Sequence, residues 1–417
     1  MVMPFKPLSK NHIRLFGLAL ILAGLLLNEW TLTALFSSDG ILSPHSVVII
    51  WIADVMLVLI GLVLAISGSL STLLNALVGV GITALLLYGL ELFYYRLNHP
   101  TAPPEANAAP PPAISREGNY TQDFFRPDDL LGYTVRPDGH ITSIKKMGDE
   151  VIYDVVYSTD NYHRRITPTD NPDQRHKFML FFGDSFTFGE GVQDNETLPY
   201  YVAQGMPDYR PYNYGLSGYG PQQMLAKLQS DDLATEVPET EGIAIYVFID
   251  AHVERAIGSM YVYNNWGDQM PYYTTDWQGH LVRRGNFTTG RPLVSSLYWW
   301  LGQREIAKYY HINLPNELTS RHYGQAARII AEARDTFRAK YHSDDFYVVI
   351  YPDEGDYFED MEPFFDQYGL NILNYDERMK LNPDEGLAFK GDGHPTGRAN
   401  QIVAGWIIED LEGRVER

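Results

Sequence analysis

Apolar positions are distributed along this chain in two unlike ways. Up to about residue 97 they form three long runs, Ile13–Phe36, Ser46–Ile66 and Leu70–Tyr95. Each is long enough for a helix that crosses a bilayer, which takes about 20 residues. A few small uncharged residues, Ser67–Ser71, join the second run to the third and predict a tight helical hairpin. Beyond Glu117 the runs shorten. Val151–Tyr157 (VIYDVVY) alternates in period two, as an edge strand does. Lys177–Phe182, Ile243–Ile249 and Asp345–Tyr351 are continuous apolar segments, the pattern of buried parallel strands. His322–Tyr341 places Ala326, Ile330, Ala333 and Phe337 at helical spacing. Leu370–Leu373 predicts a further strand, and Ala399–Leu411 a closing amphipathic helix. Strands alternating with helices predict a parallel α/β sheet covered on both faces. Residues 256–314, dense in Tyr, Trp and Gly, break that alternation and read as a large insertion.

The expected organisation is a membrane domain of three transmembrane helices (1–97), a Pro- and Ala-rich semi-rigid spacer (98–116) and an α/β domain (117–417). Two further apolar runs follow the first, and no small-x-small site ends it, which argues against a cleaved signal peptide. Lys6, Lys10 and Arg14 flank the start of the first run, whereas the loop Ser37–His45 carries only Asp39. Basic residues stay on the cytoplasmic side, so the N-terminus is expected there. Three crossings then put the α/β domain outside the cytoplasm, on a multi-pass protein of the cell (inner) membrane. Asp54 lies inside the second run, where an ionisable side chain either bonds a neighbouring helix or serves a function.

Charge narrows the partners. Lys6, Lys10, Arg14 and Arg96 cancel Glu29, Asp39, Asp54 and Glu91, so the whole net charge of −20 falls on the later part. Such a surface repels polyphosphates and excludes nucleic acid as an expected partner. With no cysteine, disulfides, thiol nucleophiles and Cys-based zinc sites are excluded. Neither a His-Glu-x-x-His metal motif nor a Gly-rich nucleotide loop is present, so no metal and no cofactor is expected. The acidic stretch Asp353–Asp366 lacks the spacing of a calcium loop and reads as a solvated face.

Two short motifs carry the chemistry. The first is Phe181-Phe182-Gly183-Asp184-Ser185-Phe186-Thr187-Phe188-Gly189, which sets a serine directly after a buried strand. Open α/β sheets build their sites at the carboxyl ends of strands. It is not a Gly-x-Ser-x-Gly elbow, because position 187 is Thr. A serine hydroxyl needs a base that is itself oriented by a third group. Alone, Gly-Asp-Ser fits a helix cap equally well. The second motif, Gly391-Asp392-Gly393-His394-Pro395, stands just before the last predicted helix. There a carboxylate two residues before an imidazole can hold one ring nitrogen while the other faces a hydroxyl.

With Asn213–Gln223 (NYGLSGYGPQQ) between them and Tyr153–Pro168 (YDVVYSTDNYHRRITP) ahead, these motifs resemble blocks one, two and five of the SGNH/GDSL hydrolase superfamily. The resemblance spans roughly Tyr153 to the C-terminus and implies a flavodoxin-like three-layer α/β/α domain. It implies Ser185 as nucleophile, His394 as general base and Asp392 as its orienting carboxylate, with the N–H groups of Ser185 and Gly218 in the oxyanion hole. Two departures stand out. The family often spaces its Asp and His as Asp-x-x-His, whereas here the spacing is Asp-x-His, a variant of acetyltransferase-like relatives. Block three supplies no asparagine; Asp250-Ala251-His252-Val253-Glu254-Arg255 stands in its place. An ionised Asp250 would oppose an oxyanion, so His252 is the expected donor, its ring fixed by Arg255 or Asp250.

The function expected is hydrolysis or transfer of acyl esters, acetyl above all, on a cell-surface carbohydrate. The carbohydrate rests on location and on aromatic residues (Trp266, Tyr272, Tyr273, Trp277 and Tyr298–Trp300) that could stack on sugar rings or pack in the core. The altered block three keeps a second class open, a degenerate module that binds a surface glycan and helps to assemble it. A third is a lipase or thioesterase working near the bilayer.

Overall fold

The computed structural model describes residues 9–28, 31, 44–99, 113–352, 355 and 357–415. Lys6, Asp39 and residues 100–112 of the spacer lie outside them. The chain forms two compact units, Met1–Glu105 with Arg291–Leu314, and Ala106–Gly290 with Pro315–Arg417.

Among the described residues the first unit opens with the helices α1 (Lys10–Leu26), α2 (Pro44–Ser67) and α3 (Leu70–Asn98). Only two apolar stretches among the described residues are long enough to cross a membrane, Ile50–Ser67 and Leu70–Asn98. The first expected run, Ile13–Phe36, is described only to residue 28 and at residue 31, and α1 by itself falls short of that length. At 1.5 Å per residue the 17 residues of α1 cover about 26 Å, less than a hydrocarbon core, and its first turns carry Lys10 and Arg14. It packs along α2 at backbone distance. A Cβ built on Gly61 would come within 2.6 Å of the Gly17 carbonyl oxygen, the kind of close approach that small residues give to helices in lipid. The turn after α2 lies against the start of α1, where a Cβ on Gly68 would sit 3.2 Å from Arg14 Nε.

The second unit begins with β1 (Ile114–Glu117), β2 (Phe125–Asp128), β3 (Gly132–Val135), β4 (His140–Met147) and β5 (Glu150–Ser158). Strands β1, β4 and β5 make an antiparallel sheet with β5 at its edge, as its alternation predicts, and β2 pairs with β3. Then follow β6 (Lys177–Phe182), α4 (Ser185–Phe188), α5 (Leu198–Gly205), β7 (Tyr209–Asn213), α6 (Pro221–Gln229), β8 (Gly242–Phe248) and α7 (Ala251–Ile257). After the antiparallel pair β9 (Pro271–Thr275) and β10 (Leu281–Asn286) the chain joins the first unit for α8 (Pro292–Gly302) and α9 (Glu305–Tyr309). The expected single insertion is thus divided at residue 291. The second unit resumes with α10 (Ser320–Tyr341), β11 (Phe346–Ile350), α11 (Phe358–Tyr368), β12 (Asn371–Asn374) and α12 (Gly397–Val415).

Five parallel strands form the central sheet in the order β7-β6-β8-β11-β12. Numbered along the chain this is 2-1-3-4-5, the flavodoxin-like order, whose crevice opens beyond the carboxyl ends of its first and third strands. Alternate residues feed opposite faces. Phe178, Leu180 and Phe182 of β6 join α6, α7, α10 and α11 in one core. Met179 and Phe181 join α5 and α12 in the other. Both faces are dry, and each Phe or Leu so buried contributes about 1.5–3 kcal/mol. This is why the strand runs read as continuously apolar.

A third core ties the antiparallel strands to the segment after β6, through Tyr157, Val155 and Phe188. Arg165 secures that junction. Its fully buried guanidinium donates to Asp194 (3.0 Å) and to the carbonyls of Phe188 (2.8 Å) and Val192 (2.7 Å), between the rings of Tyr157 and Phe188. Breaking a buried ion pair of this kind costs about 3–5 kcal/mol, so the loop bearing Glu190 is firmly held.

Candidate active site

Strand β6 ends at Phe182, and the chain turns at once into the short helix α4. Gly183 makes the turn possible: at φ 151° a Cβ there would strike the Thr187 hydroxyl and the Val247 carbonyl. Asp184 caps α4 by accepting from the Phe186 N–H (3.0 Å), which puts Ser185 on the first helical residue. The cap is therefore Asp184 and not the serine.

Ser185 and His394 line one cavity of about 670 Å³, with Glu190, Ser217, Gly218 and Arg255 beside them. The rings of Phe125, Tyr133 and Trp266 complete an aromatic wall. Gly218 is pinned there, its carbonyl accepting from Trp266 Nε1 (3.1 Å). The His394 ring packs against Phe186, the neighbour of Ser185, at 5.6 Å between centroids. Its Nδ1 lies 3.0 Å from Asp392 Oδ2, so the two-residue spacing does form the imidazole–carboxylate pair. No hydrogen bond joins Ser185 Oγ to His394 among the described residues. In unliganded triads that bond is often long and tightens with substrate.

Two features of this pair were missed in the sequence. Lys145, from β4, donates to the other oxygen of Asp392. Glu190 stands 3.9 Å from His394 Nε2, accepts from Ser217 Oγ (2.6 Å) and pairs with Arg116 of β1. Glu190 directly follows the first motif in sequence; Lys145 and Arg116 carry no local signal. The electrostatics follow. Burial works against a charged His394, but the bond to Asp392 and the charges of Glu190, Asp392 and Asp184 outweigh it and hold the ring above its ordinary titration range. Burial would push Asp392 up; its bond to His394 and the Lys145 ammonium pull it below the usual carboxylate range. Glu190 is also held low, by His394, Arg116 and Ser217 against burial.

Block three departs from expectation. His252 does not reach the cavity. Its fully buried ring lies 2.8 Å from the Tyr246 hydroxyl through Nδ1 and 3.6 Å from Asp184 through Nε2. Burial lowers its titration first of all, with Asp184 opposing. Tyr246 and Asp184 hold that ring. Asp250 accepts from the Tyr357 N–H (2.6 Å). Arg255 pairs with the buried Asp184 (2.6 Å) and donates to the Tyr219 carbonyl (2.9 Å) while lining the cavity, so the cation of this segment is the group nearest the chemistry. That pairing, with His252, holds Asp184 ionised despite its burial.

Of the aromatic residues singled out, Trp266 alone lines this cavity. Tyr273 is buried and bonds Gln229, Tyr272 packs on Phe287, and Trp277 is exposed. Tyr298–Trp300 belong to the other unit. In the acidic stretch, Asp353, Glu354 and Asp356 lie outside the described residues, and the remainder opens α11.

No known family model matches the chain. No curated protein matches it either. Solved structures do align with it. A member of the lipolytic G-D-S-L family from Veillonella parvula is 12% identical over 56% of this chain and 97% of its own, with a TM-score of 0.32. An acetyl xylan esterase from the rumen bacterium Butyrivibrio proteoclasticus is 11% identical over 62% of this chain and 68% of its own, at 0.35. AlinE4, an SGNH-hydrolase family esterase, is 12% identical over 57% and 96%, at 0.31. At such scores the fold assignment rests on the strand order given above.

Proposed function

We propose that this chain is a membrane-anchored serine esterase or O-acyltransferase of the SGNH hydrolase type, acting on acyl esters outside the cytoplasm. The observation that carries the reading is the meeting of Ser185 with the Asp392–His394 pair at one cavity, from motifs some two hundred residues apart. Ser185 Oγ attacks the acyl carbonyl and passes its proton to His394 Nε2. The N–H groups of Ser185 and Gly218 receive the oxyanion, and the Arg255 guanidinium is better sited than His252 to add positive charge. Collapse expels the alkoxide, which takes the proton back from His394 and leaves an acyl-serine. Water or a sugar hydroxyl then repeats the sequence in reverse.

The aromatic wall of Phe125, Tyr133 and Trp266 favours a flat-faced substrate such as a sugar ring bearing a small acyl group. Anchoring draws on α2 and α3. The proximity of Arg14 to the turn after α2 supports the start of α1 and that uncharged turn lying on one side, which favours the cytoplasm for both.

A fluorophosphonate probe tests the reading, since only an activated serine reacts. Wild-type protein should label at Ser185 and hydrolyse p-nitrophenyl acetate faster than long-chain esters. A preference for long chains would mark a lipase or thioesterase. A folded protein that stays unlabelled would leave a degenerate glycan-binding module.

The pH dependence is fixed in sign. The base works when neutral, and its ring is held charged to higher pH than usual, so kcat/KM should rise with pH through a midpoint above about 6.5. In Glu190→Gln one of the charges holding that proton is gone, and the midpoint should move down. A pH–rate profile of the two proteins checks this; an unmoved midpoint would remove Glu190 from the electrostatics of the base.

A further inference from the structure

Helix α8 is built inside out for a protein surrounded by water. Its two serines, Ser295 and Ser296, are the buried residues, while Leu293, Val294, Leu297 and Trp300 are 40–52% exposed. Leu293, Leu297 and Trp300 recur at i, i+4 and i+7 and so share one helix face. Small polar residues turned inward and large apolar ones outward is the arrangement of a helix facing lipid.

Its neighbours agree. α8 packs on α2 and α9 on α3. In α3, Leu70–Leu90 already covers about 30 Å, the thickness of a hydrocarbon core. The first charged residue, Glu91, thus marks the exit, and the last two turns project to the level of the headgroups. α9 binds there: Asn98 donates to Glu305 (2.8 Å), the Glu305 N–H donates to Glu91 (2.8 Å), and Tyr94 meets the Tyr310 hydroxyl (2.9 Å) with the rings of Tyr309 and Tyr310 packed at a tilt against its own. Tyr and Trp gather at this depth because their rings are apolar and their tips polar. Arg291 lies over Tyr298 and Arg304 over Trp300, so a cation brackets each end of α8 with its stem on a ring.

We propose that residues 292–312 are a second membrane attachment, an interfacial element whose outward face lies among the phospholipids at the outer ends of α2 and α3. Its occupant is bilayer lipid, because the face continues the apolar surface of the two spanning helices. The inference rests on the anchoring assigned above and goes beyond it: the catalytic chain is tethered twice, before the spacer and again from within the domain. That double tether holds the enzyme to substrates presented near the membrane surface.

The chain lacks cysteine, so single labels are unambiguous. Leu297→Cys, Leu85→Cys in the middle of α3 and Trp277→Cys, 90% exposed in the other unit, would each carry a nitroxide. The full chain is reconstituted in phosphatidylcholine vesicles, and collision with oxygen is compared with collision with a water-soluble nickel complex. The expected oxygen-to-nickel ratio at Leu297 is severalfold above that at Trp277 and closer to that at Leu85. A ratio at Leu297 equal to that at Trp277, with Leu85 lipid-like, overturns this proposal and spares the anchor. Protection of Leu297 from both quenchers also overturns it, by showing protein on that face. Leu85 exposed to nickel overturns the anchor and this proposal together.

Discussion

Ser185→Ala should lower kcat on p-nitrophenyl acetate by about four to six orders of magnitude. In a triad the three groups act as a unit, and loss of the nucleophile alone removes nearly all that the set provides. What survives comes from the backbone donors and from binding, roughly a thousandfold over water. The cause can be separated from misfolding. α4 is capped by Asp184, and Gly183 makes the turn, so neither depends on the Ser185 hydroxyl. Thermal unfolding of the variant should therefore match wild type while turnover and fluorophosphonate labelling are lost. A variant that kept a tenth of wild-type kcat would sink the assignment of Ser185.

Asp392→Asn should cost about ten-thousandfold in kcat, the size seen when an orienting carboxylate becomes an amide and the imidazole adopts the wrong tautomer. Here a further effect is built in. Asp392 is held ionised by two partners, His394 at 3.0 Å and the Lys145 ammonium, and its side chain is almost fully buried. The amide leaves Lys145 without its counter-charge, and removal of one partner of a buried pair destabilises by about 3–5 kcal/mol. Turnover and unfolding should fall together in this variant, unlike Ser185→Ala. Lys145→Met in the Asp392→Asn background should recover stability and not turnover. If turnover recovered too, orientation of the ring would not be the task of Asp392.

Much of the fold was legible because the buried strands advertise themselves. β6, β8 and β11 lie between two helical layers, so both of their faces are apolar, and their bounds fall within a residue of the runs in the sequence. The pairing of Asp392 with His394 was equally readable, since two residues of one loop decide it. What stayed hidden depends on chain brought from elsewhere. Lys145 and Arg116 reach the site from antiparallel strands whose alternation says only that one face is buried. His252 looked like a donor because histidine can donate; Tyr246 and Asp184, one on the adjacent strand and one beside the nucleophile, draw its ring beneath the site. The aromatic stretch 256–314 read as one body because its composition is uniform, yet the helix at Pro292 changes allegiance.

The small antiparallel sheet sets a boundary for anyone wishing to separate the proposed catalytic domain from the helices that precede it. All three sequence motifs lie after residue 176, and a cut just ahead of β6 would look safe on paper. Such a fragment would discard the ammonium under Asp392, the guanidinium beside Glu190 and the tyrosine that donates to the carbonyl of Ser217. It would keep all three sequence motifs and forfeit the buttress behind them. On the proposed reading, a piece that keeps these supports starts ahead of Ile114, and it still carries residues 292–312.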